Sequence, residues 1–254
     1  MESWIRRTLI RALALTPALV AGLGCADSES MLFIRQAQAL VPGKCTVDES
    51  PSSVSLLQGQ LDVAFQTQYV AALLVGNQLV PRGNSSQLRT ETARIQIQGS
   101  IVRAEDAMGA IAWGPATVPG SGFVDPASGS DPSFGVISTV LLGADLGSSL
   151  QTSLQQNRSL VRHFTAVARV FGRTLGGMSV ESGEWRFPIN VCYGCSVVFP
   201  PDAIDPKVNP VPNCDLAATT GTTVAHPCIV GQDDAVDCRV CKEKYPVGAL
   251  CEPQ

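Results

Sequence analysis

Hydrophobic and polar residues alternate with a period of two through several stretches of this 254-residue chain. Leu57, Leu61, Val63, Phe65 and Tyr69 share one parity, and Gln58, Gln60, Asp62, Gln66 and Gln68 share the other, which predicts a half-buried strand over 57–69. Residues Val70 to Val80 either continue it past a kink or form its neighbour. The same alternation recurs at Ile95, Ile97 and Ile101 against Arg94, Gln96, Gln98 and Ser100. It returns at Trp185, Phe187, Ile189 and Val191 against Glu184, Arg186 and Asn190. Met31 to Leu40, Val136 to Leu142 and Leu160 to Phe171 read as further strands, and Gly172 to Gly183 as a turn-rich connection.

Helical spacing occurs once, at Leu146, Leu150 and Leu154, with Asp145 placed to cap the helix. A parallel α/β sheet needs regular intervening helices, and they are missing. The pattern therefore predicts a mainly β fold, an antiparallel β-sandwich of immunoglobulin-like general architecture over 31–199. A Pro-rich spacer follows over 200–213, carrying Pro200, Pro201, Pro206, Pro210 and Pro212. The Cys-rich tail, 214–254, lacks apolar periodicity and needs cross-links to hold any shape. Residues Gly109 to Gly135 are rich in Gly, Pro, Ser and Ala and read as a long loop. Its aromatics Trp113, Phe123 and Phe134 either form a contact surface at a sandwich end or fold back over an open edge of the core.

At the N-terminus, Arg6, Arg7 and Arg11 precede an uncharged run from Ala12 to Gly24. That run is shorter than the ~20 residues a membrane span requires and has the proportions of a signal peptide over 1–24. The junction Gly24-Cys25 resembles the lipobox of bacterial lipoproteins, which implies a diacylated Cys25 followed by a short tether, 25–30. Two acyl chains suffice for stable anchoring, so the implied membrane partner is reached through lipid. Ordinary signal-peptidase cleavage after Gly24, with Gly22 and Gly24 as the small residues, is the alternative.

Cysteine count adds a constraint. Of nine cysteines, acylation of Cys25 leaves eight: Cys45, Cys192, Cys195, Cys214, Cys228, Cys238, Cys241 and Cys251. Eight can all pair, and an exported chain meets conditions in which they oxidise. Because seven of the eight lie near the C-terminus, Cys45 must reach one of them; Cys192 or Cys195, at the end of the last core-like strand, is the expected partner. Cys192-x-x-Cys195 and Cys238-x-x-Cys241 also have the form of half zinc sites, but their separation is unlike a compact zinc ribbon. A redox pair would open a helix, whereas Cys192 ends a strand-like run. Structural disulfides are expected, with no metal and no cofactor.

Little else points to chemistry. The only histidines are His163 and His226, and the nearest approach to a nucleophile elbow, Gly177-Met178-Ser179-Val180-Glu181, lacks its second glycine. Asp233, Asp234 and Asp237 form a possible divalent-cation cluster, and Glu105-Asp106 with Glu181 and Glu184 a possible acid/base set. Arg162, Arg169 and Arg173 suggest a basic strip for anionic lipid or polysaccharide. Each of these has the plainer reading of a solvated face. Hydrophobic content of 45% against 16% charged residues supports a packed core, and a net charge of −4 argues against nucleic acid as partner.

The Gly24-Cys25 junction, the strand end Phe187 to Cys195 and the segment Pro227 to Asp233 together give the chain its resemblance to small, cysteine-rich envelope lipoproteins of Gram-negative bacteria, myxobacterial ones especially. That resemblance implies location and architecture, carries no catalytic residue over, and with Ala26 after Cys25 implies the outer membrane. The expectation is a structural or interaction module with a protein or glycan partner in the envelope. The alternatives are an envelope-polymer hydrolase without a recognisable motif and a zinc- or calcium-stabilised binding module.

Overall fold

The computed structural model describes residues 31–84, 89–207, 211–215, 224, 226–245 and 249–252. The predicted signal peptide, Cys25 and the tether lie outside the described residues.

Among the described residues, twelve strands and two α-helices follow one another. They are β1 (Leu32–Gln38), β2 (Ser55–Leu56), β3 (Gly59–Asp62), β4 (Tyr69–Asn77), β5 (Ile95–Asp106), β6 (Ile111–Val124) and β7 (Ser133–Leu142). After helix α1 (Ala144–Gln155) come β8 (Arg162–Thr174), β9 (Ser179–Glu181), β10 (Trp185–Cys192) and β11 (Val197–Val198). In the tail lie β12 (Val236–Asp237) and helix α2 (Cys238–Lys244). One sheet has the order β2-β1-β4-β7, and a second has the order β3-β10-β8-β5-β6 with β9 added to β8.

The two sheets enclose one core, in which Leu32, Leu73, Val75 and Leu141 meet Ile95, Val102, Val170, Phe187 and Ile189. The expected mainly β, sandwich-like fold is present. It is not wholly antiparallel, since β3 pairs with β10, and β11 with β12, in parallel. Buried hydroxyls of Ser100 and Thr139 hydrogen-bond to each other between β5 and β7.

Strand β5 carries a register shift between Ile97 and Gly99. Before it Ile95 and Ile97 face the core; after it Val102 and Ala104 do, and Ile101 is turned to the outer face, half-buried. A bulge adds one residue to one strand and so exchanges the two faces. Gly99 occupies the bulge because a Cβ there would stand 2.5 Å from the Val118 carbonyl and 3.0 Å from the Phe171 ring.

Two segments correct the sequence reading. The alternating stretch 57–69 is not one strand: Leu57 is exposed, β3 ends at Asp62, and Tyr69 opens β4 in the opposite sheet. The chain crosses from sheet to sheet between these points, and periodicity alone cannot register that. The supposed loop Gly109–Gly135 contains the 14-residue strand β6 and the start of β7. Pro115 and Pro119 are tolerated because β6 is an edge strand in the hydrogen-bond order, where a missing N–H costs little.

Helix α1 starts from Gly143, which gives no side-chain cap, so Asp145 is not the cap but an acidic residue of the first turn, favourable to the helix dipole. Leu154 is fully buried, with Leu146 and Leu150 packed against the core beside it. The proline-rich stretch is not extended over its described residues. Ala203 and Ile204 donate to the Pro200 carbonyl, and Ala203 is buried with Cys214 and Cys238. The tail is not all loop, since Asp237 caps α2 through the Arg239 N–H.

Candidate functional site

The tail is fastened to the sandwich along β3, an edge strand. Asp62 N–H donates to Gly231 O at 2.7 Å and Asp233 N–H to Gln60 O at 3.0 Å. Gln60 N–H donates to Asp233 Oδ1 at 2.9 Å. Gln232 adds two bonds to the Val70 backbone, accepting at 2.9 Å and donating at 2.7 Å. Unpaired strand edges invite association with other chains, and here the tail supplies the missing partner. Gly231 has φ +86° and lies where a Cβ would come within 2.6 Å of Phe65. Asp233 has φ +60°, a left-handed conformation that aspartate tolerates better than most residues. Burial pushes the Asp233 carboxyl above the ordinary aspartate range, although bonds from Gln60, Tyr69 and Gln232 oppose the shift.

Next to this junction, the carboxylate of Asp62 is fully buried and accepts four hydrogen bonds. Oδ1 receives Gly194 N–H at 2.7 Å and Ala64 N–H at 3.0 Å. Oδ2 receives Ser196 N–H at 2.9 Å and the Ser196 hydroxyl at 2.7 Å. Both Gly194 and Ser196 belong to the bend around Cys195, so Asp62 organises that bend from within. The period-two pattern had put Asp62 on the solvated face; no local signal marks it as the buried centre of a turn.

All eight cysteines from Cys45 onward are paired: Cys45–Cys228, Cys192–Cys195, Cys214–Cys238 and Cys241–Cys251. Cys45 does reach the C-terminal group, but through Cys228 rather than Cys192 or Cys195. Those two sulfurs bond to each other across the bend at the end of β10. The separations, 183 residues against 3, correspond by loop-closure entropy to about 5 and about 2 kcal/mol. One bond thus ties the tail to the start of the fold, while the other closes a turn already held by Asp62. Asp62, Cys192 and Cys195 bring their ligand-type atoms within 4.8 Å of one another. The Cys238-x-x-Cys241 half-site is divided between two disulfides, so four thiolates do not converge.

On the outer face of the second sheet, charged residues pair across strands. Arg103 holds Glu184 at 2.8 Å and Glu105 at 3.0 Å, and Arg186 also bonds Glu105. Arg169 pairs with Glu181 at 3.0 Å. Arg186 and then Arg103 hold the Glu105 carboxyl below the usual range, and Arg103 does the same to Glu184. Glu105, Glu181 and Glu184 are therefore partners of arginines, not a facing acid/base pair. Beside them lies an open groove of about 450 Å³, floored by Ile101 and Phe171 and edged by Gln98, Thr117, Ser179 and Glu181.

The remaining candidates separate. Asp233 faces Tyr69, Asp234 accepts from Cys228 N–H at 3.3 Å, and Asp237 binds Arg239, so the three acids do not share a cation position. Arg239 is almost fully buried between Asp237 and Asp202. His163 is exposed on β8 with a ring nitrogen 2.8 Å from Asn190 Oδ1, and His226 is exposed in the tail. Arg162 is exposed, and Arg173 donates to Gly177 O at 2.9 Å. The three aromatics do not form a contact loop. Trp113 packs against the core beside Gly143, Phe123 lies under the Arg94 guanidinium at 4.7 Å, and Phe134 meets Phe33 edge-on at 6.1 Å.

No protein-family model matches the chain, and a search of curated proteins finds no match. Four disulfides indicate an oxidising, exported environment. Among the described residues no helix is long and apolar enough to cross a membrane.

Proposed function

We propose that this chain is a lipid-anchored cell-envelope protein acting as a structural or interaction module, tethered at Cys25 to the outer membrane. One observation carries the reading. Four disulfides consume eight of the nine cysteines, and the one left over is Cys25, directly after the signal-like apolar run. A ninth thiol without a partner is a liability in an oxidising compartment, and thioether formation removes it.

The outer face of the second sheet is the surface proposed for a glycan or protein partner. Its groove combines an aromatic ring, Phe171, with the hydrogen-bonding side chains of Gln98, Thr117 and Ser179. Ligand sites commonly combine aromatic side chains with a few placed hydrogen-bonding groups. The neighbouring arginine–glutamate pairs neutralise one another, which leaves a face without a strong field.

Intact mass spectrometry of the protein from its native membrane tests the tether. The expected mass is that of a chain beginning at Cys25, bearing its acyl groups and lacking eight thiol hydrogens. A water-soluble chain with a free thiol at Cys25, or one retaining residues 1–24, overturns it.

A further inference from the structure

We propose that the Cys192–Cys195 disulfide is a thiol–disulfide exchange site, which oxidises a pair of thiols on another exported polypeptide. The two sulfurs differ in access. Cys195 is exposed, whereas Cys192 is 1% accessible and its Sγ lies 3.7 Å from Leu61 O. An incoming thiolate therefore reaches Cys195, and Cys192 is the sulfur that leaves.

Opening the bond does not release the bend. Asp62 holds Gly194 and Ser196 through both carboxylate oxygens, and Val63 N–H bonds Cys192 O at 2.9 Å. Oxidised and reduced forms thus share one backbone. Cys45 is also exposed, but its bond to Cys228 joins segments 183 residues apart, and opening it parts the tail from the sandwich. Only the Cys192–Cys195 pair combines an open sulfur with a loop that stands without the cross-link.

In the first step the partner's thiolate attacks Cys195 Sγ, a partner–Cys195 disulfide forms, and the Cys192–Cys195 bond breaks. Cys192 leaves with the electron pair and takes a proton from solvent. The partner's second thiolate then attacks the partner sulfur, closes the partner's disulfide, and releases Cys195, which is protonated in turn. The partner loses two electrons and two protons, and Cys192 and Cys195 gain them. Gln60 Nε2 lies 3.5 Å from Cys195 Sγ and donates to the sulfur released in the second step. The Asp62 carboxylate lies within 4.8 Å of both sulfurs.

The test uses the full-length oxidised protein in detergent, equilibrated in glutathione buffers of increasing reducing strength and then alkylated and mapped by peptide mass spectrometry. Cys192 and Cys195 are expected to become alkylated together while the other six cysteines remain paired and the protein keeps a single cooperative unfolding transition, lowered only by the loss of this short cross-link. A Cys192→Ser variant is expected to form a stable mixed disulfide with glutathione at Cys195, and Cys195→Ser none at Cys192 without denaturant. Reduction of this bond only together with the others, loss of the folded transition when it opens, or equal adducts in both variants overturns the proposal. The mapping of the unaltered protein decides the matter even if a variant fails to fold.

Discussion

The hydroxyl of Tyr69 donates to both carboxylate oxygens of Asp233, at 2.9 and 2.8 Å, across 164 residues of sequence. Tyr69 opens the central strand β4, its ring packs in the core near Phe187, and Asp233 belongs to the tail. This contact makes the cysteine-rich extension part of the sandwich rather than an appendage to it. Burial, followed by the Asp233 charge, keeps the phenol protonated well above its ordinary range.

Tyr69→Phe should therefore destabilise the protein by about 1.5–3 kcal/mol, the worth of a hydrogen bond to a charged group in a buried setting. Urea unfolding of the full chain measures it. A change within error would mean that the tail docks without this bond.

The pH dependence has a definite sign. Burial raises the Asp233 pKa above 3.8, so the folded protein retains this proton where the unfolded chain has released it. The contribution of Asp233 to stability consequently falls as pH rises from 3.8 through the raised value. Glu105 and Glu184 act oppositely: lowered from 4.5, they contribute above that value and lose the contribution as pH falls through their folded pKa. Subtracting the stability curve of Asp233→Asn from that of the unaltered protein isolates the first effect. The difference should decline with pH across the interval, and a flat difference would refute the assignment.

Gly147→Ala sets helix propensity against packing. Alanine favours a helix interior by about 1 kcal/mol over glycine. Here its Cβ would stand 1.7 Å from Thr67 O, a backbone atom that cannot swing away. Overpacking typically costs ~1–3 kcal/mol, so the net effect should be destabilising, read as a lower thermal midpoint. An unchanged or raised midpoint would show that α1 shifts freely over the sandwich.

Removing the two contrasting disulfides should have unequal consequences. The Cys45→Ser, Cys228→Ser pair loses about 5 kcal/mol by loop closure, and Cys192→Ser, Cys195→Ser about 2. Thermal unfolding of the two double variants ranks them, and limited proteolysis should cut the tail early only in the first. A reversed ranking would mean that the bend around Cys195 depends on its cross-link more than on Asp62.

Some of the site was legible and some was not. Alternation at Trp185 to Val191 marked β10, because one face of that strand is buried and the other carries Arg186 and Asn190. Strand β6 escaped notice since Gly114, Pro115, Pro119 and Gly120 resemble loop composition, and an edge strand tolerates them. Asp62 and Gln232 gave no signal at all, because the bend around Cys195 closes over the first and the second docks on Val70, both across more than a hundred residues.

Local order decided what could be read from residues alone: strand-forming alternation, one helical leucine row, and an even set of eight cysteines from Cys45 onward. Those depend on neighbours a few positions apart or on counting. Which half-cystines meet, where alternation breaks between sheets, and which carboxylate becomes the buried anchor of a turn depend on contacts between distant segments. Chain folding in three dimensions creates those contacts, and loop closure over more than a hundred residues leaves no periodic trace in the intervening sequence.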